Sequence, residues 1–421
     1  MKKIIGVIGL GYVGLPLLYL LTKNNYIVYG FDSDLEKISK LKKSISYISD
    51  LKNKQIKSLN KKYLFTMKNI KLIENCDYII FCLPTPLKKK IPDMSFVDQA
   101  FNSCYEHLRE NQTIILESTV YPGATKEIFV KKLLKKFVIG KNFFLCYSPE
   151  RIDPGNSQYK TRKYARITKL ISGYTENCEK KINELYKIIF KKIYLCETIK
   201  IAETSKLFEN SFRSVNIGLS NEFKMLCNKL RINIFSVLNA AETKPFGFTR
   251  FDPGPGVGGH CIPIDPLFIS WVGNKNNFNT GFINYSHKIN KKITTWVITK
   301  IDKIYKNMKK TKKTKILFIG ITYKKNVNDT RESPALKIVE SFDKKNILLD
   351  YYDPYVSKIN VNNKFLKSIK NLNNISKYLF TVLLVDHQSI NLKKVYKNSK
   401  LVIDTRGKFL NINSDKKVVS L

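Results

Sequence analysis

Short apolar runs alternate with helical patterns through the first half of the chain. Strand-like runs fall at Ile4–Ile8, Ile27–Phe31, Tyr78–Leu83, Thr113–Glu117 and Phe143–Tyr147. Helical patterns lie between them, around Leu15–Lys23, Leu35–Lys42 and Val97–Glu106. Alternation of this kind predicts a parallel, doubly wound sheet. From about Ile199 to Leu230 the pattern changes: Ala202, Leu207, Phe212, Val215, Leu219, Phe223 and Leu226 approximate a helical stripe that no proline interrupts. Such a helix is on the order of 45 Å long, which suits a connecting spine and a subunit interface. Helical segments continue through Ile234–Ala241 and Ile283–Tyr305, and the Lys-rich stretch Lys306–Lys315 reads as a solvated link. Alternation then resumes, with strands expected at Ile316–Ile319, Ile347–Tyr352, Phe380–Val385 and Leu401–Asp404 and a helix at Pro334–Phe342. This C-terminal piece echoes the N-terminal one without its full set of glycines.

Length and composition narrow the class. A chain of 421 residues favours two or three domains, and 43% apolar residues give each a core. Eight cysteines at irregular spacings form no Cys-X-X-Cys pair and no Cys/His set with zinc-ligand spacing. A reducing compartment without a metal site is the simpler expectation. The net charge of +40 suggests either a phosphate-rich partner, such as nucleic acid or an anionic membrane, or compositional drift. Lysines are dispersed through strands, helices and loops, which favours solvated faces over a nucleic-acid or membrane surface. The apolar run Ile4–Leu21 imitates a signal peptide or anchor, but it contains Gly6, Gly9, Gly11, Gly14 and Pro16. It reads instead as strand, turn and helix.

Gly9-Leu10-Gly11-Tyr12-Val13-Gly14 follows a strand, opens a helix and precedes a second strand ending in Asp32. In that context G-x-G-x-x-G is a dinucleotide fingerprint. Gly9 permits the tight turn, Gly11 lets the backbone approach a pyrophosphate, and Gly14 lets the helix pack on the sheet. The carboxylate of Asp32 suits ribose hydroxyls and repels a 2′-phosphate, so NAD is expected over NADP. Tyr12, Val13 and Lys37 are assigned to the same cofactor site. Leu83-Pro84-Thr85-Pro86 and Glu117-Ser118-Thr119-Val120 end two further strands, and Thr85 and Thr119 are candidates there, although either alone is an ordinary loop residue.

The stretch Phe251–Asp265 is the most informative. Four glycines precede Cys261, whose thiolate is able to add to an aldehyde if its surroundings lower its pKa. A lone cysteine is more often a small buried hydrophobe, and that reading covers the other seven. On the spine, Lys206, Asn210 and Arg213 stand at i, i+4 and i+7 on one face. In so basic a chain the same pattern also describes a solvated surface. Ser148-Pro149-Glu150-Arg151 adds a candidate acid/base group at a strand end.

These residues resemble the UDP-glucose / UDP-N-acetylhexosamine 6-dehydrogenase family. The matches are G-L-G-Y-V-G-L-P, P-T-P, E-S-T-V-Y-P-G-A-T, S-P-E-R-I-D-P-G, E-T-S-K-L-F-E-N-S-F-R, P-G-P-G-V-G-G-H-C-I-P-I-D-P and N-D-T-R-E-S-P-A, in order, with a weaker tail at Asp404-Thr405-Arg406. The resemblance implies two Rossmann-like doubly wound α/β domains joined by a long central helix, in a cytoplasmic homodimer. The expected divisions are 1–198 for NAD, 199–305 for the central helical region and 306–421 for the UDP-sugar. It implies two successive hydride transfers to NAD. Cys261 matches the nucleophile, which traps the aldehyde as a thiohemiacetal and is released from a thioester by water. Lys206 matches the acid/base and oxyanion-stabilising lysine, and Asn210 and Asp265 the residues that position or activate water. Glu150 matches a substrate-side carboxylate and base in hydrolysis. Arg151, Ile152 and Arg213 match substrate contacts, Tyr323 and Lys324 the segment that holds UDP, and Arg331 a cofactor contact; Gly258 and Arg250 are assigned to the sugar side.

Members acting on UDP-glucose read G-G-S-C-F-x-K-D, whereas this chain reads G-G-H-C-I-P-I-D, with Ile264 in place of the lysine. That form resembles the N-acetylhexosamine branch, especially enzymes acting on UDP-N-acetylglucosamine; UDP-glucose and UDP-N-acetylmannosamine remain alternatives. Thr249-Arg250-Phe251-Asp252 departs from close relatives, so Arg250 and Asp252 either retune sugar specificity or pair with each other. A two-electron hydroxyacid dehydrogenase and a nucleic-acid-binding protein are the competing readings.

Overall fold

The computed structural model describes residues 3–48, 50–151, 166–309, 311, 313–410 and 417–421; the expected substrate contact Ile152 lies outside them. The chain divides into two compact units, Met1–Glu209 with Trp271–Phe278 and Asn210–Ser270 with Asn279–Leu421. Each is built on a doubly wound sheet, and the helix Ile199–Leu230 runs unbroken from the first into the second.

The first unit holds an eight-stranded sheet in the order Ile193–Leu195, Lys169–Gly173, Phe144–Tyr147, Thr113–Leu116, Tyr78–Phe81, Ile4–Ile8, Ile27–Asp32, Leu64–Thr66. Every residue of Tyr78–Phe81, Thr113–Leu116 and Phe144–Tyr147 is buried. That is why these strands read as continuous apolar runs, with helices covering both faces. Phe81, Phe101 and Phe129 meet at centroid distances of 4.6 to 6.5 Å in the core beneath them.

Within this sheet all described pairings are parallel except one: Phe144–Tyr147 runs antiparallel to Lys169–Gly173. This departs from the all-parallel expectation. An antiparallel neighbour needs no crossover helix. Two strands and a helix here escaped the hydrophobic pattern. Lys169–Gly173 opens with a charged residue that is nonetheless buried, and Ile193–Leu195 is an edge strand whose last two residues are exposed. Helix Glu176–Ile189 lies between them, its first turn capped by the Thr175 hydroxyl, which accepts from the Cys178 amide.

In the second unit, five parallel strands run in the order Leu349–Tyr352, Ile316–Ile319, Thr381–Leu383, Val402–Asp404, Val418–Ser420. The echo between the two sheets extends to a hydrogen bond. Asp32 Oδ2 accepts from the Leu10 amide at 2.8 Å, and Asp353 Oδ2 accepts from the Ile321 amide at 2.8 Å. In both, the carboxylate ending the second strand holds the backbone just after the glycine that ends the first. Helix Gly281–Asn307 is two residues longer at each end than its apolar pattern, which shortens the solvated link. It lies close to the spine helix at Gly218, where an added Cβ would stand 3.1 Å from Ser286 Cβ. A buried polar ladder spans the same approach: Asn221 Nδ2 donates to Asn290 Oδ1 at 2.9 Å, and Asn290 Nδ2 to the Ser214 carbonyl at 2.9 Å.

The spine also carries a fully buried lysine. Lys224 Nζ donates to the Thr405 carbonyl at 2.9 Å and lies 5.7 Å from the centroid of Phe235. Burial, reinforced by Arg406 and opposed by Asp404, pulls its pKa from 10.5 down to about 7. Between these values the unfolded chain binds the extra proton, so stability gained from this site rises with pH. The melting temperature of the wild type is therefore expected to rise relative to Lys224→Met as pH is raised from about 7 to about 9. Parallel curves in a scanning-fluorimetry series would show that Lys224 is charged in the folded state.

Candidate functional site

The dinucleotide cradle forms where the first strand passes into the first helix. Gly9 adopts φ +92°, and a Cβ there would lie 2.4 Å from the Cys82 carbonyl oxygen. A Cβ on Gly14 would lie 1.9 Å from the Gly9 carbonyl oxygen, so side chains are barred from both positions. At Gly11 nothing lies within 4 Å of the added Cβ, which leaves the backbone open to a ligand. Val13 caps the helix Gly14–Lys23 without a side-chain hydrogen bond, and Tyr12 packs against the sheet core beside it. Asp32 is buried; its Oδ1 accepts from the Asp34 amide at 2.9 Å, and Lys37 Nζ stands 3.5 Å from Oδ2. A glycine turn with open backbone and a carboxylate one strand away fits a dinucleotide pyrophosphate and ribose.

Thr85 and Thr119 are brought together, since Thr85 Oγ1 donates to the Thr119 carbonyl at 2.6 Å. Ser118 joins them, accepting from the Leu83 amide at 2.9 Å. The following turn is held by a residue to which the sequence reading gives no role. Buried Glu203 accepts from the Thr125 amide at 2.9 Å, from Thr125 Oγ1 at 2.6 Å and from the Gly123 amide at 2.5 Å. Burial pushes its carboxyl pKa up, and these donors oppose the rise. Glu203 stands one helical turn before Lys206, so the same helix that carries the lysine holds the Tyr121–Thr125 turn.

Lys206 is buried, and among the described residues its ammonium has no hydrogen-bond or ion-pair partner. Arg151 is occupied: its guanidinium pairs with Glu209 at 2.5 and 3.3 Å and donates to the Thr168 carbonyl at 2.8 Å. Glu150 accepts from the Arg151 amide at 2.6 Å and from Lys169 Nζ at 3.3 Å.

In the second unit, Cys261 is half-buried, the seven other cysteines being buried. Its carbonyl accepts from the Asp265 amide at 2.8 Å, which places it one turn before helix Asp265–Lys275. Asn210 Nδ2 donates to Asp265 Oδ2 at 2.5 Å, both residues being buried, so two expected catalytic residues meet directly. The glycine loop is stitched to the N-D-T-R-E-S-P segment. The Gly259 amide donates to the Arg331 carbonyl at 3.1 Å, and a Cβ on Gly258 would lie 2.6 Å from the Glu332 carbonyl and 2.8 Å from Tyr323 Cβ. The Arg331 guanidinium pairs with Asp329 at 2.6 and 3.0 Å. His260 lies beside this pair; burial, then Arg331, lowers its imidazole pKa, with Asp329 opposing, so the ring is neutral near pH 7. Lys324 Nζ stands 5.9 Å from the Tyr323 ring centroid.

Arg250 donates to Asp252 at 2.7 Å, Asn239 at 2.8 Å and Glu242 at 2.9 Å, and Arg213 is exposed. Among the described residues no group of three or more His, Cys, Asp or Glu side chains is placed to hold a metal ion, and no helix is long and apolar enough to cross a membrane.

An open glycine turn on one doubly wound sheet and a second, glycine-poor sheet beyond a long helix define an NAD-binding oxidoreductase of two α/β domains. Family models agree along the chain: the NAD-binding domain of the UDP-glucose/GDP-mannose dehydrogenase family matches residues 3–190, its central domain 200–292 and its UDP-binding domain 317–411. The chain belongs to this family of nucleotide-sugar dehydrogenases. It is 34% identical to the UDP-N-acetyl-D-mannosamine dehydrogenase of Methanococcus vannielii, over 99% of this chain and 95% of that one. It is 33% identical to the UDP-N-acetyl-D-glucosamine 6-dehydrogenase of Pseudomonas aeruginosa, over 84% and 83%. The solved UDP-D-ManNAc dehydrogenase of Pyrococcus horikoshii superposes with a TM-score of 0.85 at 28% identity, over 99% of this chain and 98% of that one.

Glu203→Ala strands two backbone amides and a hydroxyl in a buried turn. We expect a loss of about 2–4 kcal/mol in stability and weaker NAD binding by calorimetry. Unchanged NAD affinity would separate this turn from the cofactor site.

Proposed function

We propose that the chain oxidises the C6 hydroxyl of a UDP-N-acetylhexosamine to the carboxylate, with Cys261 as covalent nucleophile. Two molecules of NAD, bound in turn, would supply the hydride acceptors for the two successive two-electron oxidations. Between them the Cys261 sulfur adds to the aldehyde carbon, and the carbonyl oxygen takes up the proton, giving a thiohemiacetal. After the second oxidation a thioester remains. Water forms the new C–O bond, the C–S bond breaks, and the thiol returns with the uronate free. The covalent hold keeps a reactive aldehyde from escaping between the two oxidations.

The observation that carries this reading is the buried Asn210–Asp265 hydrogen bond one turn after Cys261. To this fixed amide and carboxylate we assign the orienting of water for thioester hydrolysis. The helix Asp265–Lys275 begins just after the sulfur-bearing residue. Lys206, buried without a protein partner among the described residues, is assigned to the alkoxide and oxyanion. Glu150 is assigned as the base in hydrolysis. Gly9, Gly11, Tyr12, Val13, Gly14, Asp32, Lys37, Thr85, Thr119 and Arg331 are proposed for NAD; Arg151, Ile152, Arg213, Gly258, Tyr323 and Lys324 for the UDP-sugar. Arg250, tied to three local partners, is proposed to shape the sugar side through the loop it braces. Residues 1–198, 199–305 and 306–421 are proposed as the corresponding functional divisions.

The G-G-H-C-I-P-I-D sequence favours the glucosamine epimer, and the M. vannielii relative supports the mannosamine epimer equally well. Initial rates with UDP-N-acetylglucosamine, UDP-N-acetylmannosamine and UDP-glucose decide between them. We also propose a cytoplasmic homodimer formed through the spine helix, which exposes Phe208, Phe212, Leu219, Phe223, Leu226 and Leu230. A stripe of that size on one helix suits a second copy of the same helix.

Two NADH are expected per UDP-sugar consumed; one would favour the two-electron hydroxyacid reading. Cys261→Ser is expected to bind NAD normally and to lose uronate formation by at least about a thousandfold. Wild-type turnover in that variant would remove the covalent mechanism. For the dimer, Phe223→Lys with Leu226→Lys is expected to halve the mass seen by light scattering, and an unchanged mass would place the interface elsewhere.

A further inference from the structure

Lys169 is a buried ammonium that no step above uses. It opens the strand Lys169–Gly173 with its side chain 3% exposed. Its Nζ lies 2.7 Å from Glu117 Oε2, 3.3 Å from Glu150 Oε2 and 3.4 Å from the Pro149 carbonyl. Glu117 follows the strand Thr113–Leu116, which is separated from Lys169–Gly173 in the sheet by Phe144–Tyr147, and is wholly buried; its second oxygen accepts from the Tyr186 hydroxyl. The aromatic rings of Tyr186 and Phe190 face the ammonium at 5.6 and 5.3 Å from their centroids. Glu150 is the more exposed carboxylate of the two, at 10%.

Two carboxylates thus share one cation in a low-dielectric site. An arrangement made only for stability needs one carboxylate, since a second buried negative charge against the same ammonium is costly. Arg151 reaches Glu150 through its backbone amide, while its guanidinium is committed to Glu209 on the spine helix. Cys82, at the end of the strand Tyr78–Phe81, is held as a neutral thiol, burial and then Glu117 pushing its pKa well up. Burial pushes Glu117 up as well, Lys169 opposing and Glu150 reinforcing. Burial acts against the charge on Lys169, and Glu117 and then Glu150 more than restore it.

Resting on the assignment of Glu150 as the hydrolytic base, we infer that Lys169 and Glu117 are positioning residues that set the proton affinity of Glu150. Lys169 holds the Glu150 carboxylate ionised and oriented, and Glu117 draws off part of that ammonium's field, so that Glu150 keeps enough basicity to accept a proton from water. The two neighbours act in opposite directions on the same group.

The test is the pH dependence of uronate release in single-turnover rapid-quench experiments, with UDP-N-acetylmannosamine and UDP-N-acetylglucosamine as substrates. In Lys169→Met two carboxylates face each other without a cation, so the acid limb moves to higher pH by about 1 unit or more. In Glu117→Gln the Lys169 ammonium acts on Glu150 alone, so the acid limb moves to lower pH. Glu117→Gln is nearly isosteric and carries the test if Lys169→Met does not fold. Glu150→Gln separates the two layers of the reading. Release at the wild-type rate in that variant overturns the base assignment and this inference with it. Release abolished in Glu150→Gln, with the acid limb unmoved in Lys169→Met and Glu117→Gln, overturns this inference alone.

Discussion

Backbone approaches closer than any side chain permits govern both halves of this protein. Gly14 packs against the Gly9 carbonyl with no room for a β-carbon, and that contact sets the first helix on its sheet. At the matching turn of the second unit, Gly320 has φ +78°, and a Cβ there would lie 2.5 Å from the Val385 carbonyl. In each unit an aspartate from the next strand then ties down the amide after the turn, Asp32 to Leu10 and Asp353 to Ile321. With the turn fixed, backbone amides project beyond the carboxyl ends of the strands, where doubly wound sheets hold ligands. The Gly258–Gly259 loop repeats the device against Tyr323 and Glu332, which fixes the backbone leading into Cys261.

Around these turns the buried polar groups share one logic. Glu203, Asn210, Asp265, Lys169 and Glu117 are each withdrawn from water. Each is held by partners on a different segment of chain: Glu203 to the Gly123–Thr125 turn, Asn210 to Asp265, Lys169 to Glu117 and Glu150. A buried polar group is stable only where its partners are already in place. The cost of desolvation is thereby turned into fixed orientation, which is what a site that stabilises transient charge requires. Arg250 shows the contrasting case, a half-buried cation whose donors are all engaged by near neighbours in the chain.

Periodicity and glycine placement were enough to read the two sheets, the spine helix over 199–230 and the dinucleotide turn. These features follow from local rules: apolar runs for buried parallel strands, a 3.6-residue stripe for the helix, and glycine where a β-carbon cannot stand. The strands at Lys169–Gly173 and Ile193–Leu195 escaped because one begins with a buried lysine and the other exposes its side chains at a sheet edge. Their apolar signal was broken by the features that give them their place.

Chain order was sufficient to nominate Cys261, Asp265, Lys206, Asn210 and Glu150, because each lies within a recognisable local motif. It could not reveal that Asn210 bonds Asp265 across 55 residues, or that Lys169 joins Glu117 and Glu150 across 52 and 19. Nor could it show that Glu203 braces a turn 78 residues upstream. A charged side chain looks alike in sequence whether it faces water or a buried partner. Only the folding of distant segments onto one another removes the water and chooses the partner.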